Sequence, residues 1–440
     1  MNLSQKVAFN IAVQIGSKAI TAIFGLLVTV FLTNYLGPAG FGSYMYVISL
    51  VIIFGSFSDW GTAAIGAREA SKNGNNQSEI LSNVITLRFF SSLLIAGLMF
   101  GFSFLLPLKT DNEIVVRQMI RIGSILLLLL TTKGSLTVVF QTKLKLQLQS
   151  IVDLVISLSI LIFTCLLVRA NLGLFELFSA VVVANFLGLL VGGVFVFRTI
   201  SFKPVLKRKF IKSFLSESFP MGAILLMFTI DNKIDTVMLG AIKGDRAVGI
   251  YAAAYRVYDV LILGAAYFMI ALFPVLSRFS DLSKYKEKVK AIYEKSFNIM
   301  LFLAGVVFLG ILIFAPLMVK VITQSRFSEF FDSILIMRFL SVAIFFSYLN
   351  HITGYTIVAL GKQRQYFFIA AASVVFNVLI NLFVIPRFSY NGAALVTILT
   401  ELLVFIATTT FVFKTFGFSP SIKRLPKALV ELVKSRGKIF

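Results

Sequence analysis

The chain has one cysteine and one histidine in 440 residues, Cys165 and His351. No disulfide can form within one chain, and neither a thiolate zinc centre nor a histidine-cluster metal site can be built. Charge is scarce too: 14% of residues are charged, where a soluble chain averages about 25%. Acids are the scarcer sign, with 19 Asp and Glu against 41 Lys and Arg. Long polar stretches are missing, which leaves no room for a soluble domain on either side of a membrane. What remains is 58% hydrophobic, with a mean hydropathy of +0.94.

A membrane span needs about 20 mostly apolar residues. Runs of that kind are predicted at 11–33, 43–66, 84–106, 119–140, 149–168, 174–197, 219–241, 253–275, 297–322, 333–360, 367–387 and 391–413. The segments between them split by charge. The N-terminal segment and every second connection carry 26 of the 41 Lys and Arg, and the opposite connections carry 7. Lys and Arg stay on the cytoplasmic side, so the expected protein is an all-α polytopic membrane protein of twelve transmembrane helices with both termini cytoplasmic. Lys6 precedes a long apolar run with no small-residue cleavage site, which reads as a retained first span. The net charge of +22 is then a topology signal, and nucleic acid is not an expected partner.

Two cytoplasmic stretches are longer. Residues 201–218 form a basic linker between an N-terminal six-helix lobe (1–200) and a C-terminal one (219–414), and a basic tail follows at 415–440. Asp281–Lys295 sets Tyr285, Val289 and Ile292 at helical spacing among lysines, a pattern that suits lying on anionic lipid. The tail does the same with Leu425, Leu429 and Leu432.

The two halves repeat a motif. Leu36-Gly-Pro-Ala-Gly-Phe-Gly-Ser-Tyr44 follows span one, and Leu239-Gly-Ala-Ile-Lys-Gly-Asp-Arg-Ala-Val-Gly-Ile-Tyr251 follows span seven. With six spans per half the repeat is parallel, about an axis along the membrane normal, a layout that places a transport cavity between halves. Gly37, Gly40, Gly42, Gly240, Gly244 and Gly249 suit tight turns at these sites.

The same residues carry a family resemblance. Leu36–Tyr44, Ser58-Asp-Trp-Gly61 and Arg68-Glu69 resemble the start of Wzx-type polysaccharide-biosynthesis flippases, of the multidrug/oligosaccharidyl-lipid/polysaccharide superfamily. Lys233-Ile-Asp-Thr-Val-Met-Leu-Gly240, Ala247–Arg256, Phe273-Pro-Val-Leu-Ser277, Gly361-Lys-Gln-Arg364, Asn377, Asn381 and Asn391-Gly-Ala-Ala394 resemble its second half. The resemblance implies a MATE-like fold of two six-helix lobes in a bacterial cytoplasmic membrane. It implies a non-enzymatic protein that flips undecaprenyl-diphosphate-linked oligosaccharide by alternating access. The implied partners are that lipid-linked glycan, membrane lipids and other polysaccharide-assembly proteins. No cofactor is expected beyond H+ or Na+ coupling.

An ionised side chain at mid-bilayer costs roughly 2.5–3.5 kcal/mol, so each needs a partner, water or a purpose. A diphosphate crossing a low-dielectric slab would be helped by fixed cations. Lys18 and Lys233 occupy corresponding spans of the two halves and, with Arg256, are the first candidates. Arg88, Lys133 and Arg338 are secondary ones. Glu401, in the middle of the last span, is the candidate for ion coupling, with Asp153, Asp231 and Asp235 as alternatives. Asp231 and Asp235 share a helix face that Lys233 does not. Interhelical ion pairing is the plain alternative role for any of these groups. His351 is expected to be a packing residue. The competing functions are a sister transporter (a lipid II flippase or drug/cation antiporter) and a membrane glycan polymerase or ligase.

Overall fold

The structure is a computed structural model that describes residues 3–72, 76–110 and 112–419. Every regular element among the described residues is a helix. In chain order the helices are α1 (Leu3–Asp59), α2 (Thr62–Lys72), α3 (Gln77–Leu105), α4 (Glu113–Thr142), α5 (Leu146–Arg169), α6 (Leu174–Phe197) and α7 (Arg208–Lys243). They continue as α8 (Asp245–Leu261), α9 (Leu263–Arg278), α10 (Leu282–Thr323), α11 (Ser333–Ala359) and α12 (Gln363–Phe416), with a 3-10 segment at Gln324–Phe330. Among the described residues, ten helices are long and apolar enough to cross a membrane. Their outward faces are correspondingly greasy: Leu94, Leu105, Ile313 and Phe383 are all more than 60% exposed. Only lipid accommodates such a surface without aggregation.

Two of the long helices are broken at a residue of positive φ. α1 has 57 residues and α12 has 54. At 1.5 Å per residue each would be about 80 Å long, far beyond a hydrocarbon layer of about 30 Å. α1 breaks at Gly37 (φ 65°, ψ −174°) and α12 at Ser389 (φ 51°, ψ −135°). Pro38 follows the first break and opens the new helix, where its missing N–H costs nothing. Each broken helix holds enough residues for two spans of about 20 residues.

The chain groups into two compact units, residues 1–249 with 322–329, and residues 250–321 with 330–440. The expected linker at 201–218 lies inside the first unit, and helix α7 already begins at Arg208. In the first unit α1 packs on α3, α4, α5 and α7. Its core includes Val47, Leu81, Met99 and Phe140, all fully buried. In the second unit α11 packs on α9 and α12, around Met269, Ile336, Ile352 and Ala393.

Several expected loops are tighter than the sequence suggested. The connection expected between the spans at 219–241 and 253–275 is a single residue, Gly244, between α7 and α8. Its φ of 86° and ψ of −178° lie in a region that glycine adopts at no steric cost. Gly37 has nearly the same backbone angles at the equivalent place in the other repeat. Gly42 and Gly249, read as turn residues, are instead inside helices. A Cβ on Gly42 would lie 2.7 Å from the Gly249 nitrogen, and one on Gly249 would lie 2.7 Å from the Pro38 carbonyl carbon. The first turns of the two repeats therefore cross backbone to backbone, as small residues permit in membranes. Ser43 Oγ donates to Asp245 Oδ2 at 2.7 Å across this crossing.

The stretch expected to lie on lipid turns its apolar face inward: Val289 is fully buried and Ile292 is 9% exposed. It runs on into α10, with one non-helical residue at Tyr285. The C-terminal pattern at 425–432 lies outside the described residues.

Candidate functional site

The first unit brings three of the candidate residues together. α1 supplies Lys18, α4 supplies Lys133 and α5 supplies Asp153. Lys18 Nζ donates to Asp153 Oδ2 at 2.9 Å, and Lys133 Nζ lies 3.4 Å from Asp153 Oδ1. Gln149, one turn before Asp153, donates from Nε2 to Oδ1 at 2.9 Å. Thr137, one turn after Lys133, donates to Gln149 Oε1 at 2.8 Å. The carboxylate is 10% exposed, Lys133 21% and Lys18 49%. Two ammonium groups thus share one carboxylate, which leaves one positive charge in excess, and Lys18 is the more exposed of the two cations. The partners Gln149 and Thr137 escaped the sequence reading. Both sit at i±4 from a charged residue, which is the spacing that could have found them.

Arg88 does something different. Its side chain is 3% exposed and its donors are committed. It pairs with Asp59, donates from Nε to Ser135 Oγ at 2.7 Å and from Nη1 to Thr62 Oγ1 at 2.8 Å. Asp59 in turn accepts from the Ala63 nitrogen at 3.2 Å, at the start of α2. Arg88 ties the α1–α2 junction to α3 and α4. Nothing in this arrangement leaves the guanidinium open to a ligand.

The remaining candidates lie on other helices. On α7, Lys233 and Asp231 are half-buried and Asp235 is buried. In the second unit, Arg256 is half-buried and Arg338 exposed. Glu401 on α12 is cradled there: Tyr258 OH donates to Oε1 at 3.0 Å and Asn350 Nδ2 to Oε2 at 2.6 Å. His351 stacks on Tyr355 and bonds through Nδ1 to the Ser347 carbonyl at 2.8 Å, a packing role. Among the described residues no group of three or more His, Cys, Asp or Glu could hold a metal ion.

Sequence reasoning also missed a clamp at the α1 break. Arg326 Nε donates to the Asn34 carbonyl at 2.7 Å and Nη2 to the Tyr35 carbonyl at 3.3 Å. Glu329 holds the guanidinium at 3.1 Å, and Asn34 Oδ1 accepts from Ser325 N and Oγ, each at 3.0 Å. A cation thus meets the last carbonyls before the break, where the helix dipole favours it.

Long apolar helices and glycine-mediated crossings define a multi-pass membrane protein. Comparison with known proteins makes this specific. The profile of the polysaccharide biosynthesis protein family matches residues 7–280, and that of the MatE family matches 220–383. The chain belongs to the polysaccharide biosynthesis protein family, as residues 36–44, 58–61 and 233–256 led one to expect. An uncharacterized membrane protein of Methanocaldococcus jannaschii, MJ1375, is 25% identical over 193 residues, 44% of either chain. The matched segment therefore spans under half the length of that relative. Among solved structures, the lipid II flippase MurJ in an inward closed conformation superposes with a TM-score of 0.78, at 15% identity, covering 98% of this chain and 93% of MurJ. An inward-facing multidrug resistance MATE transporter superposes with a TM-score of 0.74, at 14% identity, over 92% and 96%. A MOP-superfamily transporter from Pyrococcus furiosus, described as having a binding pocket of reverse polarity, gives 0.64 at 13% identity, over 94% and 96%. These likenesses establish a MATE- and MurJ-like fold.

Proposed function

We propose that the chain moves an undecaprenyl-diphosphate-linked oligosaccharide from the inner to the outer leaflet of a bacterial cytoplasmic membrane, by alternating access and without catalysing a covalent step. In this reading α1 and α12 each cross twice, giving twelve crossings with both termini in the cytoplasm. The observation that carries it is the pair of lysines, Lys18 and Lys133, held within apolar helices on a single carboxylate. Keeping such charges in a membrane costs roughly 2.5–3.5 kcal/mol each at mid-bilayer. Structure alone requires no such expense here. A net positive group with its outermost ammonium 49% exposed suits a phosphate-bearing headgroup. Membership in a polysaccharide biosynthesis family supports a glycan as the cargo.

Lys233 on α7 is proposed as a further headgroup cation of the first unit, and Arg256, with Arg338 secondary, is proposed separately on the helices of the second unit. Arg88 is assigned to holding the fold. Glu401, with Tyr258 and Asn350 donating to it, is the proposed proton or sodium carrier, and Asp153 takes the role argued below. The sister-transporter readings share this fold. The cation excess around Asp153 favours an anionic substrate over a cationic drug. Deletion of the gene in its host, followed by mass spectrometry of lipid-linked intermediates, tests the proposal. One diphosphate-linked oligosaccharide should accumulate on the inner leaflet, and an unchanged pool would count against a flippase.

A further inference from the structure

We propose that Asp153 is a resident stand-in for the substrate's phosphate, and that it sets a charge threshold for what can occupy Lys18. The inference rests on the flippase reading above and assigns the specificity of the same site. The two carboxylate oxygens are held unequally. Oδ1 is bound by Lys133 and by Gln149, and Thr137 fixes Gln149 in turn, so this oxygen belongs to the α4–α5 framework. Oδ2 has Lys18 as its donor, 2.9 Å away. Exposure follows the same order, with Asp153 at 10% and Lys18 at 49%.

Lys18 is therefore the partner that can leave. Its ammonium sits on a flexible four-carbon stem, while Asp153 keeps two donors when Lys18 swings away. An empty site costs little, because Lys18 stays paired with Asp153 and is held in place. A ligand must outbid a carboxylate to take it. A diphosphate carries two or more charges and several strong acceptor oxygens, and does so. A phosphodiester lipid carries one charge and does not. Asp153 thereby excludes the abundant singly charged lipids that surround the protein, by placing a like charge in their way.

The test uses the full-length protein purified in detergent. Undecaprenyl diphosphate and phosphatidylglycerol are the probes, and binding is read by native mass spectrometry. Wild type should bind the diphosphate and discriminate against phosphatidylglycerol. Asp153→Asn keeps the shape, and its one acceptor oxygen can keep the Lys133 and Gln149 bonds, but its amide nitrogen cannot accept from Lys18 and the charge is gone, so its affinity for phosphatidylglycerol should rise at least about tenfold as the like-charge clash is removed. Asp153→Glu should keep wild-type discrimination. Adding Lys18→Ala to Asp153→Asn should abolish the gain, because Lys18 is the group released. A folded Asp153→Asn protein with unchanged phosphatidylglycerol affinity would overturn the proposal. Should Asp153→Asn fail to fold, Lys18→Ala decides: it should weaken diphosphate binding and leave phosphatidylglycerol binding unchanged, and equal losses would refute the threshold. If wild type does not bind undecaprenyl diphosphate, the flippase reading fails, whereas the phosphatidylglycerol gain in Asp153→Asn still reports on the threshold by itself.

Discussion

Replacing Gly42 or Gly249 by alanine adds one methyl group where two backbones already touch. An added Cβ at Gly42 would stand 2.7 Å from the Gly249 nitrogen and overlap the Asp245 carbonyl. One at Gly249 would stand 2.7 Å from the Pro38 carbonyl carbon and 3.0 Å from its Cα. Backbone on both sides means that no rotamer change relieves the clash, so the helices must separate by about 1 Å, an overpacking cost of about 1–3 kcal/mol. Separation also lengthens the Ser43–Asp245 hydrogen bond, now 2.7 Å. At roughly 2–4 °C per kcal/mol for a unit of this size, each variant should lower the thermal midpoint of the purified protein by several degrees. The double variant should lose less than the sum, since one displacement accommodates both methyl groups. Gly97→Ala is the control: it is helical with nothing within 4 Å of its Cβ, and alanine there should be neutral or slightly stabilising. Wild-type midpoints for both single variants, or strict additivity in the double, would refute the reciprocal crossing.

Arg88→Met should cost about 3–5 kcal/mol, because it strands the Asp59 carboxylate and the hydroxyls that Arg88 now binds; a midpoint near that of wild type would show that the cluster is not a clamp. Arg326→Ala exposes the Asn34 and Tyr35 carbonyls and should destabilise by about 1 kcal/mol, with Arg326→Lys recovering only part of it in the same melting assay. Glu401→Gln keeps the contacts to Tyr258 and Asn350 but cannot carry a proton. Its transport should lose the response to pH gradient and membrane potential, and a response equal to wild type would remove Glu401 from coupling.

Much of this fold was legible in the sequence because lipid imposes a simple rule. Apolar runs of span length become helices, and most of the expected spans lie within one, though those at 43–66 and 253–275 each run from one helix into the next. The turns were less legible. The connection between the spans at 219–241 and 253–275 looked like a loop because glycines read as flexible, whereas of the six glycines in the two repeat motifs only Gly37 and Gly244 use positive φ, and Gly42 and Gly249 serve close approach. Composition cannot tell those uses apart, since both require only the missing Cβ. The site was half visible. Intramembrane charges stood out one by one, yet which of them meet depends on helix rotation. Lys18, Lys133 and Asp153 lie on three helices and converge, while Arg88 turned to Asp59 and Ser135 instead. The Arg326 clamp gave no signal, because an arginine in a short polar connection looks like any other.

Reconstitution into vesicles, with an oligosaccharide on an undecaprenyl diphosphate carrier, tests the central claim most directly. The labelled lipid is placed in both leaflets, and a membrane-impermeant glycosidase outside reports how much becomes accessible. Wild type should expose the inner pool. Lys18→Ala and Lys233→Ala, folded and inserted to the same level, should leave most of it protected, with arginine at either position restoring part of the rate. Equal exposure by wild type and both alanine variants, or no exposure beyond protein-free vesicles, would contradict the account.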